Sequence, residues 1–268
     1  MSSFFKMEEQ FRTSEISDPA FESDNLRFIT VKSNHLRGRG DICVFVPPLE
    51  NLANIPLVLL LHGVYGSAWS WSQQGGAHRT AWELMQKGEV GPMVIAMPSD
   101  GLWGDGSGYL PHHQKDFEKW IVDDVPAAVR QHIPIVGRAS PLFISGLSMG
   151  GFGALRLGIK YPETFKAISA HSSITHLDQM ALFVEEELAG YSQADAREHS
   201  VVGKLPATLP KLRFDCGTDD LLLEHNRALH QALTQKKVPH MYEEFEGGHQ
   251  WAYWQEHLVD TLRFFNRV

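Results

Sequence analysis

The sequence predicts an α/β fold: a mostly parallel sheet of about eight strands with helices on both faces. Three observations carry this. Short aliphatic runs such as 55–61 and 93–97 lack polar alternation, as strands buried on both faces require. Segments of helical spacing separate these runs, so strand and helix alternate along most of the chain. Finally, the apolar run Phe143-Ile144-Ser145 leads into Gly146-Leu147-Ser148-Met149-Gly150 and then a helical pattern, the sequence form of a strand, a tight turn and a helix. At 268 residues, with no repeat, linker or low-complexity tract, a single domain over 26–268 accounts for the chain after an N-terminal arm, 1–25.

The arm is polar and acidic, has a turn signal at Asp18-Pro19, and reads as a loose lead-in. Residues 26–33 and 41–46 alternate apolar and polar around the turn formers of 34–40, which predicts an antiparallel hairpin at a sheet edge. The buried strand over 55–61 closes in His62-Gly63. A helix over 80–88 and a strand over 93–97 follow, the latter stopped by Pro98. Helical spacing over 114–133 contains Pro126, so a split is expected there, with Asp123-Asp124 capping the second piece rather than serving as an acid/base pair. Strand 142–145, helix 149–160 and strand 165–170 come next. Residues 172–210 hold one amphipathic helical pattern, 180–188, among turn formers and read as a small insertion over the top of the sheet. Strand 212–216, helix 224–236, strand 241–245 and helix 251–265 complete the order.

Composition narrows the function. Hydrophobic content of 43% and charged content of 21% belong to a globular protein with a substantial core. The net charge of −8, with Lys and Arg scattered, argues against nucleic acid or an anionic membrane as the main partner. No apolar stretch approaches bilayer-spanning length, and the N-terminus lacks a basic region followed by an apolar one, so a cytoplasmic protein is expected. A homo-oligomer is compatible with this composition. Cys43 and Cys216, the two cysteines, sit in apolar strand-like runs and are expected as packed, reduced thiols. None of the 14 histidines has a His-Glu-x-x-His spacing, and the glycine-rich Asp105-Gly106-Ser107-Gly108-Tyr109 is not followed by the lysine of a phosphate loop. Neither a metal nor a cofactor is expected.

The chemistry centres on Ser148. A strained turn lifts its hydroxyl clear of the sheet, and Gly146 and Gly150 are needed because a Cβ at either would meet the neighbouring strand or helix. A serine hydroxyl needs a base within hydrogen-bonding reach, and the base needs an orienting carboxylate. In an open α/β sheet such groups gather at the carboxyl ends of the strands. His249 follows the last strand through Glu246-Gly247-Gly248, a flexible corner able to set an imidazole over the serine. The acid lies in Phe214-Asp215-Cys216-Gly217-Thr218-Asp219-Asp220. Loop geometry favours Asp220, because two residues after Gly217 turn the chain back over the strand end and leave Asp219 toward solvent. Oxyanion donors are expected from the Met149 N–H at the helix start and from the Val64 N–H in His62-Gly63-Val64-Tyr65-Gly66. His62 itself reads as a packed residue. Among the aromatics near these loops, Trp69, Tyr109 and Trp251 are the candidate substrate-binding residues.

With Leu61-His62-Gly63, Gly146-Leu147-Ser148-Met149-Gly150-Gly151, Cys216-Gly217-Thr218-Asp219-Asp220 and Gly248-His249-Gln250-Trp251 in hand, the chain resembles the esterase D-like family of α/β-hydrolases. That group holds tributyrin-type acylesterases, S-formylglutathione hydrolases, feruloyl and acetylxylan esterases and the antigen 85 mycolyltransferases. The resemblance, from about Phe28 to the C-terminus, implies an α/β-hydrolase fold and a serine carboxylesterase acting through an acyl-enzyme on a small-molecule substrate, a short-chain or aryl/carbohydrate carboxylic ester. Its Cys-Gly-Thr-x-Asp pattern falls on Asp220 and its Gly-His-x-Trp pattern on His249. The loop Val64-Tyr65-Gly66-Ser67-Ala68-Trp69 is similar to the short-chain acylesterase and feruloyl esterase branches and lacks the Thr-Cys stretch of the S-formylglutathione hydrolases. S-formylglutathione hydrolysis, acyl transfer on the same residues, and a non-catalytic binding module on this fold are the alternatives.

Overall fold

A computed structural model describes residues 11–191 and 195–268. Strands β1 (Ser14–Ile16), β2 (Leu26–Ser33), β3 (Gly38–Phe45), β4 (Leu57–Leu61), β5 (Val94–Pro98), β8 (Leu142–Leu147), β9 (Phe165–His171), β10 (Lys211–Gly217) and β11 (Met241–Phe245) form one sheet. Their order is β1-β2-β3-β5-β4-β8-β9-β10-β11, antiparallel from β1 to β5 and parallel from β5 to β11. A separate two-stranded ribbon pairs β6 (Pro111–His112) with β7 (Lys115–Asp116).

The aliphatic run at β4 shows why the central strands carry no alternation. Leu57, Leu59 and Leu61 enter one core, and Val58 and Leu60 enter the other. The first core packs under α3 (Phe117–Lys119), α4 (Val125–His132), α5 (Met149–Lys160) and α6 (Leu223–Gln235). The second lies under α1 (Ser70–Gln73), α2 (Ala77–Gln86) and α7 (Trp251–Asn266). No helix among the described residues is long and apolar enough to cross a membrane. Cys43 and Cys216 are free, buried thiols.

Five expectations are corrected. The hairpin β2–β3 forms, but it is not the edge of the sheet, because Ser14–Ile16 adds β1 outside it in antiparallel register with 29–31. The described part of the arm is therefore partly paired rather than loose; residues 1–10 lie outside the described residues. The helix containing Pro126 does not split. A π-helical segment, Trp120–Asp124, joins α3 to α4, with the Val125 N–H donating to the Trp120 carbonyl, so the helix widens just ahead of Pro126, which has no N–H to give, and continues without a break. Asp124 is helical and makes no side-chain cap; its carboxylate accepts from the Ser33 hydroxyl at 2.5 Å and pairs with His35 at 3.1 Å. Asp123 pairs with Lys119. Within 172–210 the expected α-helix is absent among the described residues; three 3₁₀ turns stand there instead, Leu177–Leu182, Leu188–Tyr191 and Ala196–His199.

Candidate active site

Four loops meet at the carboxyl ends of β4, β8, β10 and β11. Ser148 follows β8 at the centre of the sheet with φ +54° and ψ −118°, a left-handed conformation that a non-glycine residue adopts only when its surroundings impose it. Its N–H donates to the His171 carbonyl at 3.0 Å, and its carbonyl accepts from Phe152 and Ile174. A Cβ on Gly146 would stand 2.3 Å from the Gly150 carbonyl oxygen, and one on Gly150 would stand 2.3 Å from that of Leu61. Both obstacles are backbone, so the expected need for glycine at these two positions holds.

The loops after β10 and β11 are fastened to one another. Thr218 N–H donates to Phe245 O and Asp219 N–H to Gly247 O, each at 2.8 Å, while Gly247 turns the corner at φ +131°. This brings together residues 101 and 29 positions apart in the chain. His249 Nε2 lies 3.0 Å from Ser148 Oγ, and His249 Nδ1 lies 2.9 and 3.1 Å from the two Asp220 oxygens. A carboxylate only accepts, so the proton between His249 and Asp220 sits on Nδ1 and the Nε2 lone pair faces the serine hydroxyl. Burial alone would raise the Asp220 carboxyl, but the hydrogen bond and charge of His249 and the Leu222 N–H outweigh it and hold the group below its ordinary value of 3.8. Asp219 is exposed, as expected.

The Met149 N–H opens α5, where no helical carbonyl is available to it, and Val64 lies in the loop after β4. Neither amide is engaged by another backbone carbonyl among the described residues. His62 is packed, as expected: its ring sits 2.7 Å from the Gly63 carbonyl and accepts the Asp100 N–H at 3.0 Å. That arrangement occupies both ring nitrogens and shapes the loop carrying Val64.

The three candidate substrate-binding aromatics part company. Trp69 is about half exposed at the start of α1. Trp251 is half-buried, edge-on to Trp71 and Trp254 and packed against Gly75. Tyr109 is a correction: it is wholly buried in the first core, and its hydroxyl donates to the His62 carbonyl at 3.0 Å. It supports the β4 loop from below and has no face for a substrate. Two rings that do touch the site are Phe183, stacked on His249 at 5.2 Å, and Trp254, edge-on to it at 5.0 Å. Trp254 sits three residues into a helix, a spacing that equally suits core packing. Phe183 carries no motif at all.

A buried serine on a strained strand-to-helix turn, hydrogen-bonded to an imidazole that a carboxylate orients, on a mostly parallel sheet, defines a serine hydrolase of the α/β-hydrolase fold. Comparison with known proteins narrows the class. The Esterase family profile matches residues 33–265. The chain is 30% identical over 236 residues to an acetyl esterase of Caldicellulosiruptor saccharolyticus, covering 80% of this chain and 85% of that one. It is 23% identical to the S-formylglutathione hydrolase of Bos taurus over 86% of this chain and 89% of that one. A solved ferulic acid esterase superposes with a TM-score of 0.76 at 24% identity, covering 95% of this chain and 99% of that one. The chain belongs to the Esterase family, and it is a carboxylic ester hydrolase of the serine type. Among the described residues no cluster of three or more His, Cys, Asp or Glu side chains could hold a metal ion.

Proposed function

We propose that this esterase hydrolyses short-chain or aryl carboxylic esters through an acyl-enzyme on Ser148. The observation that carries the reading is the chain of contacts from Ser148 Oγ to His249 Nε2 at 3.0 Å and from His249 Nδ1 to Asp220 at 2.9 Å. His249 takes the serine proton as Oγ attacks the ester carbonyl, and Asp220 holds the ring and stabilises its charged form. The amides of Met149 and Val64 receive the oxyanion. The proton on His249 passes to the departing alcohol, and a water activated by the same imidazole releases the acid. The similarity to an acetyl esterase supports a short acyl group. The similarity to S-formylglutathione hydrolases supports a second reading, with a thiol as leaving group.

Ser148→Ala tests the mechanism: kcat falls by a factor on the order of 10⁴ or more while the fold is kept, and labelling by a fluorophosphonate probe is lost. Turnover of the variant close to wild type would exclude it. A hydrolysis panel of p-nitrophenyl esters from acetate to octanoate, with methyl ferulate and S-formylglutathione, separates the two readings, and added acceptor alcohols or thiols reveal acyl transfer.

A further inference from the structure

The glycine-rich loop at 105–109, which the esterase chemistry does not use, lies between two working parts of the site. The Asp105 carbonyl accepts the Tyr65 N–H at 2.8 Å, and Tyr65, next to Val64, is held at φ +58°. The Asp105 carboxylate accepts the Glu185 N–H at 2.8 Å, and the Asp105 N–H donates to the Glu186 carboxylate, also at 2.8 Å. The pair is reciprocal, since each segment's carboxylate takes a backbone N–H of the other. The Tyr65 hydroxyl adds a bond to the Phe183 carbonyl at 2.5 Å. The strap 183–186 is thus fastened to the β4 loop, and from it the Phe183 ring stacks on His249. Beneath the loop, a Cβ on Gly106 would stand 2.4 Å from Met149 Sδ and 3.4 Å from a Val64 methyl, so this loop also packs against both residues whose amides face the oxyanion.

We propose that Asp105 is a positioning residue: its carboxylate fastens the 183–186 strap to the β4 loop and so holds Phe183 against the His249 ring. The proposal rests on the esterase reading above. Asp105, Glu185 and Tyr65 lie outside the two apolar cores, and the strap's Phe183 and Val184 are only half-buried against the first, so these hydrogen bonds order the strap rather than the fold. With the carboxylate gone, the Glu185 N–H loses its acceptor and the strap is released from one side. The face of His249 then opens to water, and its ring loses one wall. Because the ring must be aligned most strictly when it transfers a proton, the loss falls on the transition state rather than on ester binding.

The test is a set of variants assayed with p-nitrophenyl acetate. Asp105→Ala lowers kcat by roughly ten- to a hundredfold, the scale of a small displacement of a catalytic group, while KM and the melting temperature stay near wild type. Asp105→Asn, whose amide oxygen can still accept from Glu185, recovers much of the rate. Phe183→Ala shows the same kcat pattern, and the double variant is no slower than the slower single one, since both act through one strap. Should Asp105→Ala fail to fold, Tyr65→Phe, which removes the hydroxyl's bond to the Phe183 carbonyl and its longer one, 3.4 Å, to the Asp105 carboxylate while leaving that carboxylate on the Glu185 N–H, shows a smaller fall in kcat. An Asp105→Ala enzyme with wild-type kcat, a loss confined to KM, or losses that multiply in the double variant would overturn the proposal. Wild-type turnover and its loss in Ser148→Ala are measured in the same series. An inactive wild type means the esterase reading has failed, whereas an active one with an unaffected Asp105→Ala overturns only this inference.

Discussion

Replacing Asp220 by Asn tests how the imidazole is oriented, and the hydrogen bonds around the carboxylate give the direction of the effect. The carboxylate receives His249 Nδ1 at 2.9 and 3.1 Å and the Leu222 N–H at 2.8 Å, so both of its oxygens are engaged as acceptors. Asparagine has one acceptor and one donor. If its oxygen keeps Leu222, its NH₂ faces Nδ1, the ring proton moves to Nε2, and no lone pair remains for the Ser148 hydroxyl. If the amide flips, its NH₂ meets the Leu222 N–H donor to donor. Either way the productive tautomer is disfavoured, and kcat falls by about 10³–10⁴, which is roughly 4–5.5 kcal/mol of transition-state stabilisation. The adjacent Asp219→Asn is the control, because that side chain is exposed and makes no side-chain hydrogen bond to the site. The assay is steady-state hydrolysis of p-nitrophenyl acetate by both variants, with thermal melts to show that each is folded. An Asp220→Asn enzyme within about tenfold of wild type, or an equal loss in Asp219→Asn, would refute the reasoning.

Three further outcomes follow from packing and charge. Gly150→Ala sets a methyl 2.3 Å from the Leu61 carbonyl oxygen, and since overpacking costs about 1–3 kcal/mol the melting temperature drops by roughly 3–10 °C; an unchanged melt would show that the strand can yield. Burial alone would raise the carboxyls of Asp215 and Glu118, but the charges of His171 and Arg213 around the first and Arg156 beside the second hold both below their ordinary values of 3.8 and 4.5. Groups shifted down on folding stabilise fully above their unfolded values and lose that contribution as pH falls through the folded ones, so calorimetry finds stability falling as pH drops below about 4; a rise between pH 5 and 3 would contradict this. Burial pushes the Cys43 thiol up to about 11 and the Cys216 thiol higher still, so neither reacts with a disulfide reagent at pH 8 until the protein is unfolded; rapid labelling of the native enzyme would contradict the packing.

The central sheet was legible because its strands are buried on both faces and therefore read as unbroken aliphatic runs, β4 and β5 most clearly. Ser148, Asp220 and His249 were legible because each follows a strand and sits in a turn whose glycines have steric work to do. What lay hidden depends on contacts between distant segments. Ser14–Ile16 has no strong strand pattern and forms only because β2 offers it an open edge. Asp123-Asp124 resembles a helix start, yet Asp124 is drawn to Ser33 and His35 across the fold. Tyr109 ends a glycine-rich loop and reads as a substrate contact, whereas a buried carbonyl at His62 claims its hydroxyl. Phe183 reaches His249 from a stretch whose spacing suggests a helix but whose chain turns in 3₁₀ steps.

The most direct measurement is to quench the enzyme with acid during turnover of p-nitrophenyl acetate and map the acetylated peptide by mass spectrometry. Acetyl is expected on the side chain of Ser148, formed within a burst of p-nitrophenol and absent from Ser148→Ala. Steady release of p-nitrophenol with no acetyl on that serine at any quench time, or an acetyl group on a different residue, would contradict it.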